Sequence, residues 1–176
     1  GNGGYGTSFA APMAAGAAAL VRSKYPNLDA RQVMERLRVT ADDVSQTGNN
    51  SQFDGKIGKG RLNVHRSLTD TLMPSVRLKE FSYTGNYGNY IFPGDTIRIF
   101  PSFINYLGEA KNLSITLSSA DTHTLYNQKS YLISSLKSYQ IEAIDQDYWE
   151  IVLAEDLLPG TNAYPLTAPG RGCFYL

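Results

Sequence analysis

The sequence predicts an α+β chain in two parts, helical through residue 73 and an all-β sandwich over residues 74–176. Three observations carry this. The uncharged, alanine-rich run from Thr7 to Val21 reads as a helix, because Ala and Leu are strong helix formers. Asp29-Ala30-Arg31-Gln32 has the spacing of a capping box that opens a second helix. From Val76 onward, short β-prone runs alternate with turn residues at regular spacing, the pattern of a sandwich. The composition changes across Thr69–Pro74, which marks the boundary.

The first helix is expected from Thr7 or Ser8 to about Lys24, with Pro12 in its first turn, where a missing N–H does no harm. Lys24 and Tyr25-Pro26-Asn27 form its stop, a basic last turn with a proline just beyond. The second helix runs from Ala30 to Val39, with Ala30, Val33, Met34 and Leu37 at helical spacing. Leu28 and Val33 are placed for a hydrophobic staple across its cap. Residues 45–60 read as a polar surface loop anchored in the core by Phe53. Gly58-Lys59-Gly60-Arg61-Leu62-Asn63 then leads into a short helix over Val64–Leu68, with Asn63 as its cap.

In the second part, strands are expected over Val76–Tyr83, Thr96–Asn105, Leu113–Leu117, Tyr131–Ile133, Tyr139–Ile144 and Tyr148–Leu153. Ile97, Ile99 and Phe103 share one face of their strand, and Trp149, Ile151 and Leu153 point inward from theirs. Thr84–Asn89, Phe92–Asp95, Gly108 and Leu158–Gly160 are turns, and a last strand follows the fourth. Arg171–Leu176 fits no strand.

Sixteen basic and sixteen acidic residues leave no net charge, which argues against nucleic acid or an anionic membrane as the main partner. The run Thr7–Val21 is too short and alanine-rich for a membrane span, and no basic residues precede it as in a signal peptide. Cys173 is the single cysteine, so no internal disulfide forms. His123 lies in a polar loop with Asp121, too few ligands for a metal site. Tyr83, Tyr87 and Tyr90 crowd one turn region, where they read as loop tyrosines or as a stacking surface for a sugar or peptide.

Ser8 carries the chemical interest. A hydroxyl before an apolar run is ordinarily a helix N-cap. At a turn-to-helix junction it can also be a nucleophile, with free N–H groups and the positive end of the helix dipole beside it. The residues Gly6-Thr7-Ser8-Phe9-Ala10-Ala11-Pro12, followed by Ala15-Gly16, decide between these. They resemble the block around the nucleophile of subtilisin-like serine peptidases. Met13 stands where the commonest family form has His. The Tyr-Pro break, the capped helix and Gly-x-Gly-Arg-Leu-Asn follow in the order of the C-terminal end of that catalytic domain.

The resemblance implies that residues 1–73 are the C-terminal part of an α/β subtilisin-like domain, with Ser8 catalytic. The triad of that family runs Asp, His, Ser along the chain, so Asp and His are expected upstream of Gly1, on a longer parent chain. His65 falls where the family has variable residues and is not expected to be the base. The substrate would be a protein or peptide. No cofactor is expected on this chain, while the resemblance allows calcium in the missing part of the parent. The helices' apolar faces need a partner: that missing part, a second chain, or each other. Residues 74–176 resemble the immunoglobulin-like modules appended to secreted bacterial peptidases, so the parent is expected to be secreted or on the cell surface. This chain alone is expected to be inactive. The alternative is a non-catalytic binding or structural module carrying a remnant of a peptidase domain.

Overall fold

The computed structural model describes residues 6–53, 56–88, 90–117, 124–127, 130–156, 165–168 and 172–175. The chain divides into two compact units, Gly1–Ser75 with Tyr106–Gly108, and Val76–Asn105 with Glu109–Leu176.

The first unit holds α1 (Thr7–Lys24), α2 (Ala30–Val39), a 3-10 turn over Asn50–Phe53, and α3 (Val64–Thr69). Local sequence sets their ends. The Tyr25 N–H donates to the Val21 carbonyl at 2.8 Å as α1 closes, and the Arg22 guanidinium donates to the Leu28 carbonyl. Both halves of the capping box form at α2: Gln32 N–H to Asp29 Oδ1 at 2.9 Å, and Asp29 N–H to Gln32 Oε1 at 3.2 Å. Such a cap is worth about 1 kcal/mol. Asn63 caps α3 by accepting from the Arg66 N–H at 2.9 Å.

The Gly58/Gly60 pair has a geometric cause. Both have positive φ, 65° and 115°. A Cβ on Gly60 would lie 1.9 Å from the Asp42 carbonyl oxygen. Asp42 and Arg61 exchange backbone hydrogen bonds of 2.8 and 2.9 Å there, an approach that only glycine permits. The Asp42 carboxylate accepts from Asn63 Nδ2 at 2.8 Å and Arg61 Nη2 at 3.1 Å. These bonds, Asn63 foremost, hold its carboxyl below the usual carboxylate range.

Three expectations for this unit need correction. Pro12 is the sixth residue of α1, not in its first turn. It therefore withholds the N–H that would bond the Ser8 carbonyl. Phe53 is 48% exposed and is not part of the buried core. The loop is instead tied by polar bonds such as Asn50 Nδ2 to the Val44 carbonyl at 2.9 Å. On α2, Met34 is exposed, while Glu35 and Arg36 are buried.

Those two charges organise the unit. Arg36 donates from Nε to the Ser67 carbonyl at 2.6 Å, and from Nη2 to the Asp70 carbonyl at 2.7 Å and Tyr25 Oη at 3.0 Å. Its guanidinium carbon also lies 4.3 Å from the Tyr25 ring centroid. A cation thus sits at the C-terminal carbonyls of α3, where the helix dipole favours it, and grips the end of α1 at the same time. Glu35 Oε2 accepts from Arg38 Nε at 2.6 Å and Ser75 Oγ at 2.7 Å.

The second unit is β1 (Val76–Thr84), β2 (Thr96–Asn105), β3 (Ala110–Leu117), β4 (Thr124–Tyr126), β5 (Ser130–Leu136), β6 (Ile141–Ala143), β7 (Trp149–Leu153), β8 (Pro165–Ala168) and β9 (Gly172–Tyr175). One sheet has the order β1-β2-β7-β4, with β6 also on β2; the other is β5-β3-β8-β9. All pairs are antiparallel. Both sheets feed one apolar cluster: Ile97, Ile99 and Phe103 from β2, Leu113, Ile115 and Leu117 from β3, Ile133 and Leu136 from β5, and Trp149, Ile151 and Leu153 from β7. Period-2 alternation places most of them on one side, while Leu136, three residues after Ile133, enters beside Ala110 at the start of β3. Trp149 is fully buried, edge-on to Phe103 at 6.2 Å and tilted against Tyr131 at 5.2 Å.

The strand expected over Tyr139–Ile144 shrinks to Ile141–Ala143, because Tyr139 takes φ 60° in a turn closed by Gln140 N–H to the Lys137 carbonyl at 3.0 Å. The tail does form a strand, β9, which corrects the expectation for Arg171–Leu176. It pairs with β8 from Pro165–Tyr175 to Ala168–Gly172. The expected turn at Leu158–Gly160 lies outside the described residues, as does His123.

Candidate active site

Ser8 is the second residue of α1 and is exposed. The N-cap of α1 is Gly6, with φ 135° and no side-chain capping bond, so neither Thr7 nor Ser8 serves as the cap. The Phe9 N–H closes a tight turn on the Gly6 carbonyl at 3.1 Å. The second N–H of a helix has no partner within the helix, so the Ser8 amide directs its donor out of that end, beside an exposed Ser8. Pro12 also withholds the usual helical donor to the Ser8 carbonyl. The junction therefore presents a hydroxyl and an amide donor in the positive field of an 18-residue helix. Such a set can deliver a nucleophile and half of an oxyanion site.

Among the described residues, no group hydrogen-bonds the Ser8 hydroxyl. His65 is exposed on α3, and its carbonyl accepts from Thr69 Oγ1 at 2.9 Å. The described carboxylates of the first unit are all committed: Asp29 to the α2 cap, Glu35 to Arg38 and Ser75, Asp42 to Arg61 and Asn63, Asp43 to the Ser45 N–H, and Asp70 to Arg66. No cluster of three or more His, Cys, Asp or Glu able to hold a metal occurs among the described residues. No helix among them is long and apolar enough to cross a membrane.

Around Ser8, α1 shows its apolar side to solvent. Phe9, Met13 and Leu20 are exposed, and its buried residues are Ala17 and Val21. Among the described residues, nothing lies within 4 Å of where a Cβ on Gly16 would sit. The residue that sequence reading missed is Arg36. Its signal was its place three residues after Val33, on the apolar side of α2, where a solvated charge does not belong.

Residues 2–60 match the model of the subtilase family. The chain is 36% identical to Mycosin-4 of Mycobacterium tuberculosis over 69 residues, which are 39% of this chain and 14% of that protein. It is 49% identical to Subtilisin DY of Bacillus licheniformis over 59 residues, 34% of this chain and 19% of that protein. Mycosin-3 of Mycobacterium tuberculosis matches at 42% over 64 residues, 36% of this chain and 13% of that protein. The chain thus spans less than a fifth of the length of each of these relatives. No solved structure matches it.

Proposed function

We propose that residues 1–73 are the C-terminal part of a subtilisin-like serine endopeptidase domain, with Ser8 as its nucleophile, and that residues 74–176 are an appended immunoglobulin-like sandwich. The observation that carries this is the run Gly6–Gly16 within the subtilase match at 2–60, with Ser8 standing exposed in the first turn of α1. The strand order supports the second half. The neighbours β1-β2-β7-β4 and β3-β8-β9 can be read as A-B-E-D and C-F-G of an immunoglobulin-like scheme, from which β5 departs, lying beside β3 but following β4 in the chain.

In this reading Ser8 Oγ bonds to the carbonyl carbon of a peptide while its proton passes to an upstream His, which an upstream Asp orients. The carbonyl π electrons move onto oxygen. That oxyanion is held by the Ser8 N–H, the α1 dipole and an upstream Asn amide. As the tetrahedral intermediate collapses, the His returns the proton to the leaving amine. Water then repeats the sequence to free the acyl group. The protein would be secreted or on the surface of a bacterium, and calcium would belong to the upstream part. Among the described residues nothing hydrogen-bonds Ser8 as a base would, and in this reading the chain alone is inactive. A longer chain carrying the upstream Asp and His should hydrolyse casein, and Ser8→Ala should reduce kcat by about 10⁶-fold. Hydrolysis unchanged by Ser8→Ala would overturn the assignment. The second reading, a non-catalytic binding or structural module, draws on the self-contained apolar cluster of the second unit. It predicts no hydrolysis from the longer chain.

A further inference from the structure

From the end of β1 to the start of β2 the chain exposes four aromatic rings within ten residues: Tyr83, Tyr87, Tyr90 and Phe92. Tyr87, Tyr90 and Phe92 are 67%, 74% and 51% exposed. Large rings are left in water at a cost unless something covers them. These rings are also held in place. Gly85 N–H bonds the Gly88 carbonyl at 2.9 Å, and backbone bridges join Gly85 to Gly88 and Tyr87 to Tyr90. Tyr87 and Phe92 pack edge to face, 5.7 Å between centroids at 86°.

Beneath them, Asp95 is 4% exposed and accepts from the Phe92 N–H at 2.8 Å and Asn86 Nδ2 at 3.2 Å. Gly94 N–H to the Ala154 carbonyl at 3.2 Å, and Leu153 N–H to the Asp95 carbonyl at 2.9 Å, tie the turn to the end of β7. The result is an open cavity of about 720 Å³ lined by Asn86, Tyr87, Phe92, Gly94, Asp95 and Glu155. That volume lies within the range of small-ligand sites, roughly 300–1,000 Å³.

We propose that this cavity binds a neutral oligosaccharide. The argument is one of donors and acceptors. Carboxylates only accept hydrogen bonds; Asp95 already takes one on each oxygen within the turn, so the exposed Glu155 carboxylate is the acceptor open to a ligand that donates. Sugar hydroxyls donate. A proline-rich peptide offers mainly carbonyls, and an anionic sugar, phosphate or nucleic acid would meet Asp95 and Glu155 with like charge. A pyranose ring also carries an apolar C–H face, whose slightly positive hydrogens suit the negative face of an exposed tyrosine. A cage for a quaternary ammonium would surround the cation with ring faces; here Tyr87 and Phe92 spend that geometry on each other. The site is independent of Ser8 and holds whether or not the first unit is part of a peptidase.

The test uses the full 176-residue chain on an array of neutral gluco-, xylo-, manno- and chito-oligosaccharides, with trimethyllysine and polyproline peptides beside them. Titration calorimetry of the strongest oligosaccharide follows. Binding to at least one neutral oligosaccharide is expected, weakened tenfold or more by Tyr87→Ala and about threefold to tenfold by Glu155→Gln. Both residues are exposed, and unchanged circular dichroism of the variants establishes that the fold is intact. No neutral oligosaccharide bound, binding indifferent to Tyr87→Ala, or binding confined to either peptide would each overturn the proposal.

Discussion

The second unit buries Trp149, Phe103, Ile115 and Leu136 in one apolar cluster, whereas the first buries Glu35, Arg36, Thr40 and Ser67 beside Ala17, Val21 and Val33. Apolar burial is non-directional and grows with area, about 25 cal/mol per Å², so the β unit closes on its own surfaces. The helical unit is joined by directional bonds from a few buried polar groups, and it leaves Phe9, Met13, Leu20 and Met34 in solvent. The contrast teaches that the two units should respond to different insults. Loss of volume should harm the second and loss of a donor the first.

The largest expected effect is therefore Trp149→Ala. It removes the ring packed on Phe103 and Tyr131 and should destabilise the second unit by about 3–5 kcal/mol. Urea unfolding followed by circular dichroism reads this directly. A loss under about 1 kcal/mol would break the picture of a single apolar cluster.

Arg36→Met comes next. It keeps the aliphatic stem but leaves the Ser67 and Asp70 carbonyls without their donor, at about 2–3 kcal/mol. Amide hydrogen exchange should speed in α3 and at the end of α1 and stay unchanged in β2, β3 and β7. Uniform acceleration across both units would erase the distinction between them.

The smallest effect is a matter of pH. The Asp42 carboxyl is held below its ordinary 3.8 by its bonds to Asn63 and Arg61. Because the folded value is depressed, its contribution is present above the unfolded value and disappears as pH falls through the folded one. Carbon-detected NMR titration should place the Asp42 midpoint below 3.8, and Asn63→Ala should move it back upward. A midpoint indifferent to Asn63→Ala would remove the side-chain bond as the cause.

What could be read in the sequence follows from range. The limits of α1 and α2 were legible because the capping box and the Tyr25-Pro26 stop act within one turn. Gly58-x-Gly60 was visible as a motif, but its cause, the carbonyl of Asp42, lies far along the chain. Arg36 was missed because its burial takes Tyr25, Ser67 and Asp70 from three separate segments. Phe53 misled because an apolar residue in a polar loop suggests an anchor, while the loop's hydrogen bonds leave the ring outside. β9 was invisible because Gly172 and Cys173 carry no strand pattern, and its pairing with β8 supplies the order. For the site, Gly6, Ser8 and Pro12 were readable as a motif, whereas the second-turn position of Pro12, which withholds the usual donor to the Ser8 carbonyl, was not.

Whether Ser8 is a nucleophile waiting for upstream groups is measured most directly with a serine-directed fluorophosphonate. An unassisted serine hydroxyl reacts poorly at neutral pH and needs an adjacent base. The 176-residue chain should stay unlabelled, and a longer chain carrying the upstream Asp and His should label at Ser8 and lose the label in Ser8→Ala. Labelling of the short chain at Ser8, or of the longer chain at another residue, would contradict this.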